Sequence, residues 1–190
     1  MRTYKIEGII LKRLNLGEAD RVLTVLSRES GKISIKAPGV RRIKSRRSSH
    51  VELLNLSQFT LYGSSKVFMP IVTEAQTLED FSLIKANLHK IGYAYYICEL
   101  INGLCPENQE NKSVFFHLKS TLSALSQTLD ALSLVKKFEK DLLATLGFWL
   151  EAKLLKTQDS RTVMERLLER KLKTMRLMPL FAESDSPAPL

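Results

Sequence analysis

Residues 21–37 read RVLTVLSRESGKISIKA. Two runs rich in β-branched residues, at 21–30 and 32–37, are joined through SRESGK, where Gly31 suits a tight turn. KISIKA alternates cleanly: Lys32, Ser34 and Lys36 share one face, while Ile33, Ile35 and Ala37 share the other. The pattern predicts a β-hairpin with one face in a core and one face able to meet a polyanion.

Working outward, YKIEGIILKR at 4–13 predicts a strand interrupted at Glu7 and Gly8, and LNLGEADR supplies a turn around Gly17. VELLNLSQFTLYG at 51–63 and KVFMPIVTEAQT at 66–77 predict two further strands across a short Gly-Ser turn. Pro70 points to an edge or a bulge in the last of them. Five short strands with hairpin connections and no helical period fit a small Greek-key barrel better than an open sandwich. The predicted fold class is α+β in two parts: a five-stranded OB-fold barrel over residues 1–79, then an all-α helical domain over 80–180.

The period changes after Leu78. Ile84, Leu88, Ile91, Tyr95, Cys98, Ile101 and Cys105 recur at three- and four-residue steps, predicting one amphipathic helix over 80–105 that Pro106 ends. Asn111 or Ser113 can cap a second helix through FFHLKSTLSALSQTL, a third runs from about Leu134 to Leu146 before Gly147, and 161–176 predicts a fourth. Residues 181–190 are small, polar and Pro-rich, and are expected to be disordered. With no internal repeat and no long linker, the two parts are expected to pack together.

Several chemistries have no foothold. At 44% hydrophobic and 26% charged residues, the 190-residue chain has the composition of a globular protein with a core. No apolar run approaches the ~18 residues a membrane helix needs, so a cytoplasmic protein is expected. Cys98 and Cys105, seven apart without a second pair, offer neither a disulfide framework nor a zinc site and read as buried thiols. There is no phosphate-cradling glycine loop and no G-x-S-x-G elbow, and His50, His89 and His117 fall in different elements. Neither catalysis nor a cofactor or metal is expected.

What stands out is charge. The net charge is +9, and residues 1–50 hold 13 Lys and Arg against 4 Asp and Glu, so the whole excess lies there. Five of the seven residues from Arg41 to Arg47 in GVRRIKSRRSSH are basic. They read either as a solvated loop or as a contact for a polyanion, and their mutual repulsion favours the second. Lys12, Arg13 and Arg21 flank the first loop, Lys32 and Lys36 lie on the hairpin, and Arg41, Arg42, Lys44, Arg46 and Arg47 fill the loop after it. With no aromatic residue inside it, that loop is expected to hold phosphates without reading sequence. Phe59, Tyr62 and Phe68 are candidates to stack on bases, although alternation puts Phe59 in the core and leaves Tyr62 the better candidate. The fourth helix has a net charge of +4 but carries a core stripe of Val163, Leu167, Leu168 and Leu172.

EGIILKRLNLGEADRVLTVLSRESGKISIKAPGVRR, then KSRRS, the QFTLY strand and KKFEKDLLATLGF resemble, in the same order over residues 4–176, the bacterial DNA-repair mediator family RecO. The resemblance implies a DNA-binding OB barrel and a helical domain. It also implies binding of single- and double-stranded DNA, annealing of complementary strands, cooperation with RecR, contact with the acidic tail of single-stranded DNA-binding protein, help in loading RecA, and a place at the bacterial nucleoid. The family's basic surface falls on the residues named above, and its acidic-tail contact falls near KKFE, on Lys136, Lys137 and Lys140. The pattern departs from the family after LGF, where many relatives insert a cysteine-rich zinc-binding segment that LGFWLEAKLLKTQDSRT does not show. Two other classes share the pattern read from residues: an RNA-binding OB module, and an adaptor whose basic loop meets an acidic protein.

Overall fold

The alternation of KISIKA is realised in a computed structural model, which describes residues 2–63, 69–148, 153 and 160–174. Strands β1 (Arg2–Leu16), β2 (Asp20–Ser27), β3 (Gly31–Ala37), β4 (Leu56–Gly63) and β5 (Ile71–Glu79) form a closed barrel in the order β1-β2-β3-β5-β4. This is the predicted OB-type Greek-key order. All neighbours are antiparallel except β3 and β5, which meet in parallel at Lys36 and Ile71. Ile33, Ile35 and Ala37 enter a core with Ile6, Ile10, Leu23, Val25, Phe59 and Leu61. Each large side chain buried there contributes roughly 1.5–3 kcal/mol.

Two strand predictions are corrected. The 51–63 run becomes a strand only at Leu56, because Ser48–Val51 form a single 3-10 turn and Leu54 takes a left-handed φ of 69°. Local hydrogen bonds explain this: Asn55 Nδ2 donates to the Ser49 carbonyl at 2.9 Å, and Leu54 N donates to the Ile10 carbonyl at 3.0 Å. Of the edge or bulge that Pro70 pointed to, the closed barrel leaves no edge, while the register of β5 against β4 shifts between Thr60 and Leu61. Pro70 sits just ahead of β5, where its missing N–H costs nothing, and its carbonyl accepts from Lys36 N at 2.8 Å.

The described chain gathers into two units. The first holds Met1–Asp80 with Cys105–Phe116, and the second holds Phe81–Leu104 with the chain from His117 onward. Within the first unit the chain returns to cover β3: Asn108 N donates to the Lys32 carbonyl at 2.8 Å, and Ser34 Oγ lies 3.5 Å from Glu107 Oε1. Gly31, with φ +67°, is the point of closest approach, since a Cβ there would stand 1.8 Å from the Gln109 carbonyl oxygen.

In the second unit the helix predicted over 80–105 is two helices, α1 (Ser82–Lys85) and α2 (Leu88–Leu104). Asn87 separates them, its side chain accepting from Lys90 N at 2.9 Å as an N-cap does. Asn111 caps α3 (Lys112–Gln127) through Val114 N at 3.0 Å, and Asp130 caps α4 (Ala131–Thr145) through Ser133 N at 3.0 Å. Gly147, with φ +89°, follows the end of α4. The fourth helix is shorter than predicted: α5 spans Ser160–Leu168 and stops at Glu169, whose φ is +51°. Competing partners end it. Glu99 on α2 accepts from Arg170 Nη1, Lys173 N and both the N–H and hydroxyl of Thr174, while Glu165 accepts from Leu172 N. Burial would raise the Glu99 carboxyl, but these bonds hold it below its usual range. Cys98 and Cys105 are buried free thiols, pushed up by burial to about 12 and about 11. Residues 181–190, and residues 175 and 176 of the predicted fourth helix, lie outside the described residues.

The Gly31→Ala variant has to shift the Gln109 backbone and carry a left-handed alanine. It is expected to lose about 2 kcal/mol or more in urea unfolding.

Candidate nucleic-acid interface

The basic loop spans residues 38–55, between β3 and β4, and is anchored at both ends. On the β3 side, Asp20 Oδ1 accepts from Gly39 N at 2.8 Å and Asp20 Oδ2 pairs with Lys36 Nζ at 2.9 Å. The Arg41 N–H donates to the Ala19 carbonyl at 2.9 Å, and its guanidinium donates to the Gly17 carbonyl at 2.8 Å. On the β4 side, the Arg47 guanidinium donates to the Val72 carbonyl at 2.5 Å and to the Pro38 carbonyl at 2.8 Å. Beyond it, Glu52 receives both Arg13 and Arg21, the latter at 3.1 Å.

These anchors sort the candidate cations. Arg13, Arg21, Lys36 and Arg47 are half-buried and engaged in holding the loop and the barrel wall. Lys12, Arg41, Arg42, Lys44 and Arg46 are exposed. Lys12, Lys44 and Arg46 have no acid within ion-pair distance among the described residues. Lys32 does not stand on an open face as the alternation suggested. It is 7% exposed because the returning chain at 107–109 lies over it, and burial pulls its ammonium below the usual range while Cys105 and Glu107 push the other way. Phe59 is in the core and Tyr62 is half-buried on β4, while Phe68 lies outside the described residues.

Sequence reasoning missed the two acids that build the site. Asp20 and Glu52 counted only as subtractions from net charge, although their places at either margin of the basic cluster were the available signal. Each draws two donors together, Gly39 N–H and Lys36 at Asp20, and Arg13 and Arg21 at Glu52.

On α4, Lys136, Lys137 and Lys140 are all exposed on the face opposite the buried Val135, Phe138 and Leu142. His117 stacks on Phe138 with ring centroids 4.7 Å apart, and Tyr96 donates to the buried Glu139, which fixes the inner face of α4. Near the N-terminal end of α4 lies a cavity of about 390 Å³ lined by Lys90, Tyr93, Leu129 and Leu132 among others. Among the described residues there is no cluster of three or more His, Cys, Asp or Glu able to hold a metal, and no helix long and apolar enough to cross a membrane.

Arg47→Ala is expected to speed amide hydrogen exchange across residues 39–50 and to cost about 2 kcal/mol, whereas Arg46→Ala should leave both nearly unchanged. The Gly39 N–H first, and then Lys36, hold the Asp20 carboxyl below the usual carboxylate range. Its contribution is therefore complete above the unfolded value near about 4 and is lost as pH falls through the lower folded value. Asp20→Asn should flatten the acid side of the stability profile below about pH 4 in urea midpoints.

The family models described as Recombination protein O N terminal and Recombination protein O C terminal match residues 1–81 and 85–153. The chain is 36% identical over 148 residues to the DNA repair protein RecO of Pelotomaculum thermopropionicum, covering 78% of this chain and 57% of that relative. It is 34% identical over 149 residues to the RecO protein of Acetivibrio thermocellus, covering 78% and 59%, and 36% identical over 145 residues to that of Dehalococcoides mccartyi, covering 76% and 56%. It thus spans a little under three-fifths of the length of these relatives. With both halves matched in order and the barrel-then-helices plan in place, the chain belongs to the RecO family.

Proposed function

We propose that this chain is a non-catalytic recombination mediator in DNA repair. It binds single- and double-stranded DNA through its barrel, lowers the repulsion between strands so that they anneal, and works with RecR and single-stranded DNA-binding protein to load RecA. The observation that carries the reading is the set of exposed cations Arg41, Arg42, Lys44 and Arg46 on an anchored OB-barrel loop, with Lys12 exposed on β1, in a chain of this family. A cation that spends no energy on an internal acid is free to displace counterions from phosphate. Lys136, Lys137 and Lys140 form a second basic face, suited to the acidic tail of single-stranded DNA-binding protein.

Five phosphates neutralised on a single strand give a log–log salt slope of about −3.5. Changing Arg41, Arg42 and Arg46 together to Ala is expected to weaken binding of a single-stranded DNA oligonucleotide at least about tenfold at low salt and to reduce the slope by about 2, read by fluorescence anisotropy. Unchanged affinity and slope would remove this loop from the interface. A marked preference for RNA of the same sequence would replace DNA as the ligand.

A further inference from the structure

Between Arg42 and Lys44, at the tip of the anchored loop, Ile43 is 104% exposed. A large aliphatic side chain entirely in water contributes nothing to the fold. Nor is it thrown out by a slack chain: Arg42 N bonds to the Gly39 carbonyl at 3.2 Å, Ser45 N to the Arg42 carbonyl at 2.9 Å, and Arg47 fastens the loop to Val72 and Pro38. Successive turns hold Ile43 outward.

It is not alone. Leu14 and Leu16, 51% and 44% exposed, lie near the end of β1 at every second position after the exposed Lys12. The two hydrogen bonds from Arg41 to Ala19 and Gly17 seat the base of the loop on the turn that follows these leucines. The end of β1 and the loop that is seated on its following turn both present exposed aliphatic side chains alongside exposed cations.

Phosphate contacts alone give an aliphatic side chain no role. A single nucleic-acid strand offers both kinds of surface, a chain of phosphates and unstacked base faces, whereas a sealed duplex hides the faces. We infer that Ile43 packs against unpaired nucleobases, as apolar wedges in other nucleic-acid-binding proteins press between base steps. The contact discriminates bases from no bases and not one base from another, because a hydrocarbon side chain reads no donor or acceptor. The inference rests on the proposal that the barrel binds DNA. It adds a base contact to a loop whose composition suggested phosphate binding alone.

The test compares two oligonucleotides of equal length and charge, one bearing bases throughout and one with a central abasic run, each titrated with the full chain. The unaltered protein is expected to bind the base-bearing strand about tenfold more tightly. Ile43→Asn should abolish that preference while leaving the salt slope intact, and Ile43→Leu should retain it. Equal affinity of the unaltered protein for the two strands, or an undiminished preference in Ile43→Asn, overturns the base contact while DNA binding stands. Failure of both strands to bind at low salt overturns DNA binding by the barrel and the base contact with it.

Discussion

The barrel depends on β1 serving two neighbours along one strand. From Arg2 to Ile9 it pairs with β4, and from Gly8 to Leu16 with β2. The strand changes partners at Gly8, which lies opposite Ser27 and Ser57, both fully buried. A Cβ on Gly8 would stand 2.3 Å from Val25 Cγ1. Three small residues side by side let the sheet turn its corner, and a register shift between Ile10 and Lys12 completes the bend. Closure in turn sets where the β3–β4 loop leaves the barrel, and hence where its cations stand.

A loop with five like charges in seven residues is a poor candidate for order. It is ordered because hydrogen bonds fix both of its ends. Arg47 donates to backbone carbonyls, Asp20 pairs with Lys36, and Glu52 pairs with Arg13 and Arg21. Hydrogen bonds to carbonyls leave the Arg47 charge in place and Glu52 offsets one of its two arginines, so engagement fixes where these charges stand more than it removes them. Buried donors and acceptors fix geometry here, while exposed cations supply attraction.

Local pattern was legible wherever one face met one core. The alternation of Ile33, Ile35 and Ala37, the core position of Phe59, the cap at Asn111 and Gly147 after α4 all follow from rules spanning a few residues, whereas α4 begins three residues earlier than its apolar period suggested, at the Asp130 cap. What sequence could not reveal was non-local. The break at Asn87 looks like continuous helical period, because Ile84 and Leu88 keep their spacing across it. The early end of α5 requires Glu99, whose hydrogen-bond partners lie more than 70 residues away. Among the candidate cations, no short-range rule separates Arg46, which is exposed, from Arg47, which is tied to carbonyls on another strand. Lys32 was misjudged for the same reason, since alternation shows which way a side chain leaves a strand and not what later arrives to cover it.

That late arrival bears on the order in which the molecule is made. Ser34 meets Glu107 across 73 positions of chain, so during synthesis all five strands emerge well before the residues that finish the outer side of β3. Closing so long a loop carries an entropic cost that local hairpins do not. The covering of Lys32 therefore depends on residues that follow α2 in the chain. The two units are interleaved along the chain.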